Sequence, residues 1–247
     1  MNKFFVKENQ IVDNQISILG EDVNHIKNVL RLNYGDKIKV CDTDNTINYI
    51  CEVNKISKEE VECIIIEKVE NEAEGNVELH IFQGLPKADK MELIIQKGTE
   101  LGISKFIPVK FNRSIVKLTG KDEIKKIERW QKIAEVAAKQ CGRDIIPKVE
   151  KIENVKNICN LFQNYDIVLV AYELEKENYI KQELKAIEKK DKYKIAVVIG
   201  PEGGIEPEEI ELMNKSNSRV ISLGKRILRT ETVAMQVASI IMYELEN

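Results

Sequence analysis

The chain has 247 residues, a length that fits one large or two small domains. Its 38 Lys and Arg against 41 Asp and Glu give a net charge of -3, and hydrophobic residues make up 43%, which excludes a wholly disordered chain. No apolar run approaches the roughly 18 residues that a membrane span needs. The first residues also lack the apolar stretch and cleavage site of a signal peptide.

Five cysteines are scattered along the chain without a CxxC pair, and the two histidines, His25 and His80, lie far apart in sequence. An odd number of unpaired cysteines is typical of reduced thiols. We therefore expect a cytoplasmic protein with no metal centre and no membrane partner.

Charge is unevenly distributed along the chain. Residues 1–79 carry 9 basic and 16 acidic side chains, residues 80–151 carry 16 and 9, and residues 152–247 carry 13 and 16. The basic middle block fits an interaction surface for a polyanion. It also fits a solvated helix face, because basic and acidic side chains alternate between residues 121 and 132.

The first 70 residues have the pattern of a small β-barrel. The predicted strands are 4–6, 37–41, 47–56 and 61–69. A helix is predicted over 22–32 with Asp22 as its N-cap, followed by a turn at 33–36. Its predicted apolar face consists of Val23, Ile26, Val29 and Leu30. The polar, acidic stretch 70–76 is the predicted domain boundary.

From residue 77, strands and helices alternate, which predicts an open parallel α/β sheet. The predicted strands are 77–83, 105–109, 165–172, 194–199 and 219–223. The predicted helices are 90–101, 122–141, 176–188, 207–217 and 231–245. The first of these helices should end at Gly102. The apolar face of the second should consist of Ile124, Ile127, Trp130, Ile133, Ala134, Ala137 and Ala138.

The last predicted helix, 231–245, has an apolar arc wider than the roughly 100° of a surface helix. Such a helix is buried on two sides. Either it belongs to the core of one chain or it contributes to a subunit interface.

Two segments at predicted strand ends, 199–204 and 223–232, have compositions suited to ligand binding. In open parallel sheets, ligands bind beyond the carboxyl ends of the strands. The first segment holds three glycines, which allow close backbone approach, and the second has three cations before a helix N-terminus, which suits an anionic group. An ordinary glycine turn and a capped, solvated loop are the alternatives.

Neither segment is a dinucleotide fingerprint or a P-loop. The sequence offers no metal cluster and no nucleophile with a base beside it. It therefore favours a reaction in which a cofactor supplies the reactive group.

The residues of these two segments carry a family resemblance. Gly200-Pro-Glu-Gly-Gly204 and Leu223-Gly-Lys-Arg-Ile-Leu-Arg-Thr-Glu-Thr-Val-Ala234 resemble the knot motifs of SPOUT methyltransferases, and most closely those of the RsmE family. Further segments resemble that family in the same order: 25–31, 84–87, 90–92, 96–102, 113–114, 130–134 and 140–143.

The resemblance implies an α/β protein with a PUA-like, RNA-binding β-barrel at 1–72 and a SPOUT domain with a trefoil knot at 73–247, the knot covering about 195–235. It also implies S-adenosylmethionine as cofactor and a homodimer formed through the knot domain. The implied reaction is methylation of N3 of a specific uridine in 16S ribosomal RNA of the small subunit.

Site residues follow from the same resemblance. The implied cofactor contacts are Ala171, Tyr172, Gly200, Pro201, Glu202, Gly203, Gly204, Leu223, Gly224, Ile227, Leu228, Arg229, Thr230 and Ala234. The implied RNA contacts are Arg31, Lys87, Lys90, Arg113, Lys117, Arg143, Lys225 and Arg226.

For catalysis, Arg229 is the implied cation that stabilises the developing uracil anion, with Arg31 of the partner subunit or Arg143 as rivals. Glu231 or Glu202 is the implied base. Two alternatives stay open: a SPOUT enzyme acting on transfer RNA or a ribose hydroxyl, and a non-catalytic module that binds ribosomal RNA.

Overall fold

The computed structural model describes residues 1–116 and 118–246, and these form two compact units. Residues 1–74 and Ala138–Ile146 make up the first unit, and the remaining described residues make up the second. The sequence places the domain boundary between residues 72 and 73 and assigns 138–146 to the second domain. In the structure, that segment belongs to the first unit.

Six strands form one sheet in the first unit, in the order β1-β4-β5-β6-β3-β2. They are β1 (Lys3–Val6), β2 (Ile11–Val12), β3 (Gln15–Leu19), β4 (Lys37–Asp42), β5 (Ile47–Ile56) and β6 (Glu60–Val69). The pairing of β1 with β4 is parallel, and the others are antiparallel. Alternate side chains such as Ile38 and Val40 are fully buried, so the period-2 pattern correctly predicts the core face.

The helix predicted over 22–32 is shorter and partly different in type. Helix α1 spans Glu21–Asn24 with Gly20, not Asp22, at its N-cap, and a π-helical turn follows over His25–Leu30. The wider π turn rotates Val29 outward, and this side chain is 62% exposed. A 3.6-residue period cannot anticipate that change of pitch.

A buried polar cluster joins residues 138–146 to the rest of the first unit. Lys3 forms an ion pair with the Asp144 carboxylate, which also accepts a hydrogen bond from Asn48. Burial raises the pKa of Asp144, but its hydrogen bonds outweigh this effect and the net pKa is lowered. Arg143 pairs with Glu74, with 2.7 Å between Nη2 and Oε2. Residues 138–146 thus supply the charged partners of Lys3 and Glu74 in the first unit.

Seven strands form the sheet of the second unit, and every pairing is parallel, as predicted. They are β7 (Val77–Gly84), β8 (Ile103–Lys110), β9 (Lys148–Val149), β10 (Glu153–Asn154), β11 (Ile167–Ala171), β12 (Tyr193–Ile199) and β13 (Arg219–Ile221). The order is β10-β8-β7-β12-β11-β13, with β9 paired to β8. The short strands β9 and β10 were not predicted.

Six further helices accompany this sheet in the described residues. They are α2 (Lys90–Glu100), α3 (Lys121–Cys141), α4 (Val155–Cys159), α5 (Ile180–Lys185), α6 (Pro207–Lys215) and α7 (Thr230–Leu245). Both faces of the sheet are covered, since Leu169 and Val170 of β11 are each fully buried. On α3, Ile124 is 59% exposed, so the predicted apolar face begins one turn later.

The last helix, α7, packs against α2, α5, β7 and β12. Val237 and Ile241 are fully buried, whereas Val233 and Ile240 are only half-buried and Tyr243 is exposed. Part of the apolar arc is therefore accessible in the single chain, and the predicted interface stays a prediction. No helix among the described residues has the length and apolar character to cross a membrane.

Candidate functional site

A pocket of about 420 Å³ lies in the second unit, where three neighbouring parallel strands end. The register pairs Ala171 with both Ile199 and Ile221, so β11, β12 and β13 end at the same level. The residues that follow each strand therefore meet at one edge of the sheet. This topology brings together the glycine segment 199–204 and the basic segment 223–232.

Most of the predicted cofactor contacts line this pocket. They are Ala171, Tyr172, Gly200, Pro201, Glu202, Gly204, Leu223, Gly224, Ile227, Leu228, Arg229 and Thr230. Their role in binding stays a prediction.

Two predicted cofactor contacts do not line the pocket. Gly203 faces another loop, because a Cβ built there would meet the carbonyl oxygen of Arg113 at 2.8 Å. Ala234, a residue of α7, is 1% exposed and belongs to the buried core. A side chain at Gly203 would therefore meet the segment at residue 113 and not the pocket.

Seven further residues line the pocket that were not predicted as cofactor contacts. They are Lys90, Glu173, Ile199, Ser222, Lys225, Arg226 and Val233. Three of them are the cations Lys90, Lys225 and Arg226, which were predicted to contact RNA. The position of Ile199 and Ser222 at predicted strand ends was a signal in the sequence that both residues could line a ligand site.

The loop between β13 and α7 is open on its outer side. Ile227 is 86% exposed, and Gly224 adopts a φ of +113°, which favours glycine. Arg229 immediately precedes α7 and is exposed. Within the part of the chain that the structure describes, its guanidinium makes no hydrogen bond or ion pair. It is a cation at the pocket that remains available to a ligand.

Lys90 joins the two predicted base candidates. Its Nζ lies 2.9 Å from Oε1 of Glu202 and 3.4 Å from Oε2 of Glu231. The Glu202 carboxylate also accepts the backbone N–H of Lys87 at 3.1 Å. Burial raises the pKa of Glu202, but these hydrogen bonds outweigh it and the net pKa is lowered.

A carboxylate with a lowered pKa is a weaker base. Glu202 is therefore better suited to holding the glycine loop after β12 (residues 200–204), in which it lies, than to accepting a proton. Glu231 has the longer contact with the Lys90 ammonium group, 3.4 Å against 2.9 Å, and its role as the base stays a prediction.

The opposite side of the glycine loop is held by residues 112 and 113. The side chain of Asn112 donates to Glu206 at 2.7 Å, and its backbone N–H donates to Glu209 at 2.9 Å. The Arg113 guanidinium lies 3.4 Å from the carbonyl oxygen of Gly203. Arg113, predicted to contact RNA, thus has a structural contact as well.

The other predicted RNA contacts fall into four groups. Arg143 is 5% exposed and paired with Glu74, so its predicted roles in RNA contact and catalysis are incompatible with its burial. Arg31 belongs to the first unit, has a φ of +53° and is exposed. Lys87, Lys225 and Arg226 are exposed in the second unit. Lys117 lies outside the described residues.

Two family models match the chain. An RNA methyltransferase domain matches residues 73–242, and an RNA methyltransferase PUA domain matches residues 18–66. The chain therefore has the domain organisation of an RNA methyltransferase with a PUA domain.

Individual relatives narrow the class. Ribosomal RNA small subunit methyltransferase E of Bacillus subtilis is 41% identical over 93% of this chain and 90% of its own. A crystal structure of a hypothetical protein shares 38% identity, with a TM-score of 0.89 and 98% of both chains covered. A methyltransferase structure from Legionella pneumophila, with the cofactor S-adenosylmethionine bound, shares 25% identity, with a TM-score of 0.87 over 99% and 98% of the two chains.

The chain belongs to the ribosomal RNA small subunit methyltransferase E family. The resemblance drawn from the two loop motifs is thereby confirmed.

Proposed function

We propose that this protein transfers a methyl group from S-adenosylmethionine to N3 of a specific uridine in 16S ribosomal RNA. The name of the Bacillus subtilis relative supports the ribosomal RNA substrate, and its alignment over 93% of this chain includes both units. The observation that carries the proposal is the pocket at three strand ends, with the unpaired Arg229 at its edge.

The residues at the pocket fit the proposed cofactor. A volume of about 420 Å³ lies within the range of small-molecule sites. Apolar walls formed by Ile199, Leu228 and Val233 suit the flat adenine ring. At Gly224 a Cβ would meet nothing within 4 Å, so the backbone there is open to a bound molecule. The Legionella structure with S-adenosylmethionine bound supports the same assignment.

When bound, S-adenosylmethionine supplies an electrophilic methyl group. The task of the protein is to place uracil N3 in line with it and to stabilise the charge that develops when N3 loses its proton. Arg229 is suited to the second task, since a guanidinium stays charged and this one has no competing carboxylate among the described residues. Glu231 is the proposed base, and Glu202 holds the loop.

RNA would be bound through the exposed cations around the pocket, Lys87, Lys225 and Arg226, together with Arg31 in the first unit. Contacts of this kind give affinity and salt dependence rather than sequence choice. We assign RNA binding to the domain at residues 1–72 and methyl transfer to the domain at 73–247.

We further propose a trefoil knot over about 195–235, a homodimer formed through the knot domain, and action in the cytoplasm. The path of the chain supports the knot: β13 lies at the sheet edge beside β11, yet the following helix α7 packs against β7 and β12. The half-buried apolar residues of α7 support the dimer.

The test combines binding with product analysis. Calorimetric titration of the purified protein with S-adenosylmethionine should give saturable binding. Incubation with small subunits from a strain lacking the protein should then yield 3-methyluridine, detected by mass spectrometry of nucleosides. Absence of cofactor binding would favour a non-catalytic RNA-binding module. Methylation of transfer RNA or of a ribose hydroxyl instead would assign a different substrate.

A further inference from the structure

A buried glutamine at the end of β7 contacts the pocket only through another residue. Gln83 is fully buried and lies in register with Ile199, the last residue of β12. Its Nε2 donates to Oγ1 of Thr230 at 2.8 Å and to the carbonyl oxygen of Gly84 at 3.0 Å.

The hydroxyl of Thr230 continues the chain of hydrogen bonds. It donates to the carbonyl oxygen of Gly200 at 2.7 Å. A hydroxyl has one proton, so Thr230 must accept from Gln83 while it donates to Gly200. Both Thr230 and Gly200 line the pocket. The relay Gln83–Thr230–Gly200 therefore joins the ends of β7 and β12 to the first residue of α7.

The orientation of the Gln83 amide is fixed by these partners. Exchanging its oxygen and nitrogen would place a carbonyl oxygen against the carbonyl of Gly84 and remove the donor that Thr230 needs. In the fixed orientation, Oε1 of Gln83 accepts no hydrogen bond within the described residues. An unsatisfied buried acceptor raises the free energy of the folded state. The two hydrogen bonds that Nε2 donates offset this cost and keep the amide in this orientation.

The strands meet closely at the same point. A Cβ built at Gly84 would lie 2.5 Å from the backbone nitrogen of Pro201 and 2.8 Å from the carbonyl carbon of Gly200. Backbone thus packs directly on backbone where the glycine loop leaves β12. The peptide group between Gly200 and Pro201 therefore has little room to move, and the Thr230 hydroxyl bonds to the carbonyl oxygen of this group.

We propose that Gln83 and Thr230 are positioning residues for the cofactor pocket. Through their hydrogen bonds they fix the Gly200 carbonyl and the N-terminus of α7, and the Thr230 hydroxyl serves this relay rather than the ligand. The inference rests on the proposed function for the identity of the ligand. The relay itself belongs to the protein without ligand.

Thr230→Val removes both hydrogen bonds with little change in volume. Thr99→Val is the matched control, because Thr99 is also fully buried and its hydroxyl donates to the carbonyl oxygen of Ile95 at 2.7 Å, in α2. Thr230→Ser keeps the hydroxyl and should restore most of what Thr230→Val loses. In the double variant with Gln83→Met, the two effects should not add, because both residues act through one relay.

Two measurements test the relay: amide hydrogen exchange over residues 200–204 without ligand, and the Kd for S-adenosylmethionine by calorimetry. Thr230→Val should accelerate exchange there and weaken binding about tenfold, as the loss of about 1.4 kcal/mol would. Thr99→Val should lower Tm comparably and leave both readouts unchanged.

The proposal is overturned if Thr230→Val matches Thr99→Val in both readouts, or if the two relay substitutions add fully. If the wild type binds no S-adenosylmethionine, the proposed function fails, and hydrogen exchange alone still decides whether the relay exists.

Discussion

The ammonium group of Lys90 lies 2.9 Å from a carboxylate oxygen of Glu202, and this ion pair ties the first turn of α2 to the glycine loop after β12. The two residues are 112 positions apart in sequence. Their pairing lowers the pKa of Glu202 and raises that of Lys90, so both stay charged at neutral pH. One wall of the pocket is therefore held in place by opposite charges.

Lys90→Met should weaken binding of S-adenosylmethionine by about three- to tenfold, because it frees the glycine loop and leaves Glu202 and Glu231 without their shared cation. Stability should change little, since the pair is partly solvated. Lys97→Met is the matched control, as Lys97 pairs with Glu100 at 2.8 Å in the same helix. Calorimetry and thermal melting provide the measurements, and equal Kd values for the two variants would contradict the prediction.

Arg229→Ala should reduce the single-turnover rate of methyl transfer by about 100-fold or more, the loss typical when one charge-stabilising donor is removed. The fold should be spared, because Arg229 is exposed and unpaired among the described residues. Arg129→Ala serves as control, since Arg129 is a surface arginine on α3 paired with Glu92. A turnover close to that of the wild type would remove Arg229 from the mechanism.

Gly84→Ala should destabilise the protein by about 1–3 kcal/mol, because the new Cβ would overlap the backbone of Gly200 and Pro201. Cofactor affinity should fall with it. Gly75→Ala is the matched control, because its Cβ would meet only the flexible side chain of Glu246, which can move away. Urea unfolding measures the difference, and similar midpoints for the two variants would show that the strands can separate at no cost.

The free energy of unfolding should decrease as the pH is lowered, because of His80, which is 2% exposed. Its Nδ1 lies 2.8 Å from the Tyr165 hydroxyl and its Nε2 lies 2.8 Å from the Glu78 carboxylate. Burial lowers the pKa of His80 from 6.5 to about 4, and Glu78 offsets this only in part. The unfolded chain therefore binds a proton at a pH where the folded chain does not.

The contribution of His80 to the free energy of unfolding is roughly 3 kcal/mol. It is fully present above pH 6.5 and is lost as the pH falls to about 4. His80→Gln should flatten the profile of unfolding free energy against pH across that window. His25→Gln, at the exposed histidine, is the matched substitution. Parallel profiles for the wild type and His80→Gln would disprove the assignment.

The sequence was informative wherever function depends on neighbouring residues in one segment. The apolar runs predicted the parallel strands, and the glycine and arginine segments at two strand ends predicted most of the pocket lining. This worked because the carboxyl ends of parallel strands must share one edge.

Pairings between distant residues could not be predicted. Gln83 and Thr230 are 147 positions apart, and a glutamine at a strand end has no distinctive pattern. Arg143 has the same appearance in sequence as an exposed cation, yet it is buried against Glu74. The outward rotation of Val29 arises from a π turn, which a period of 3.6 residues does not represent.

The discontinuity of the first unit has a consequence for synthesis. Lys3 is buried and bonds to Gly142 and Asp144, so its ammonium group finds these partners only when more than half of the chain has left the ribosome. The N-terminal sheet cannot complete its core as an independent early product. A fragment cut between residues 72 and 73 would leave the ammonium group of Lys3 without the carboxylate that compensates its charge.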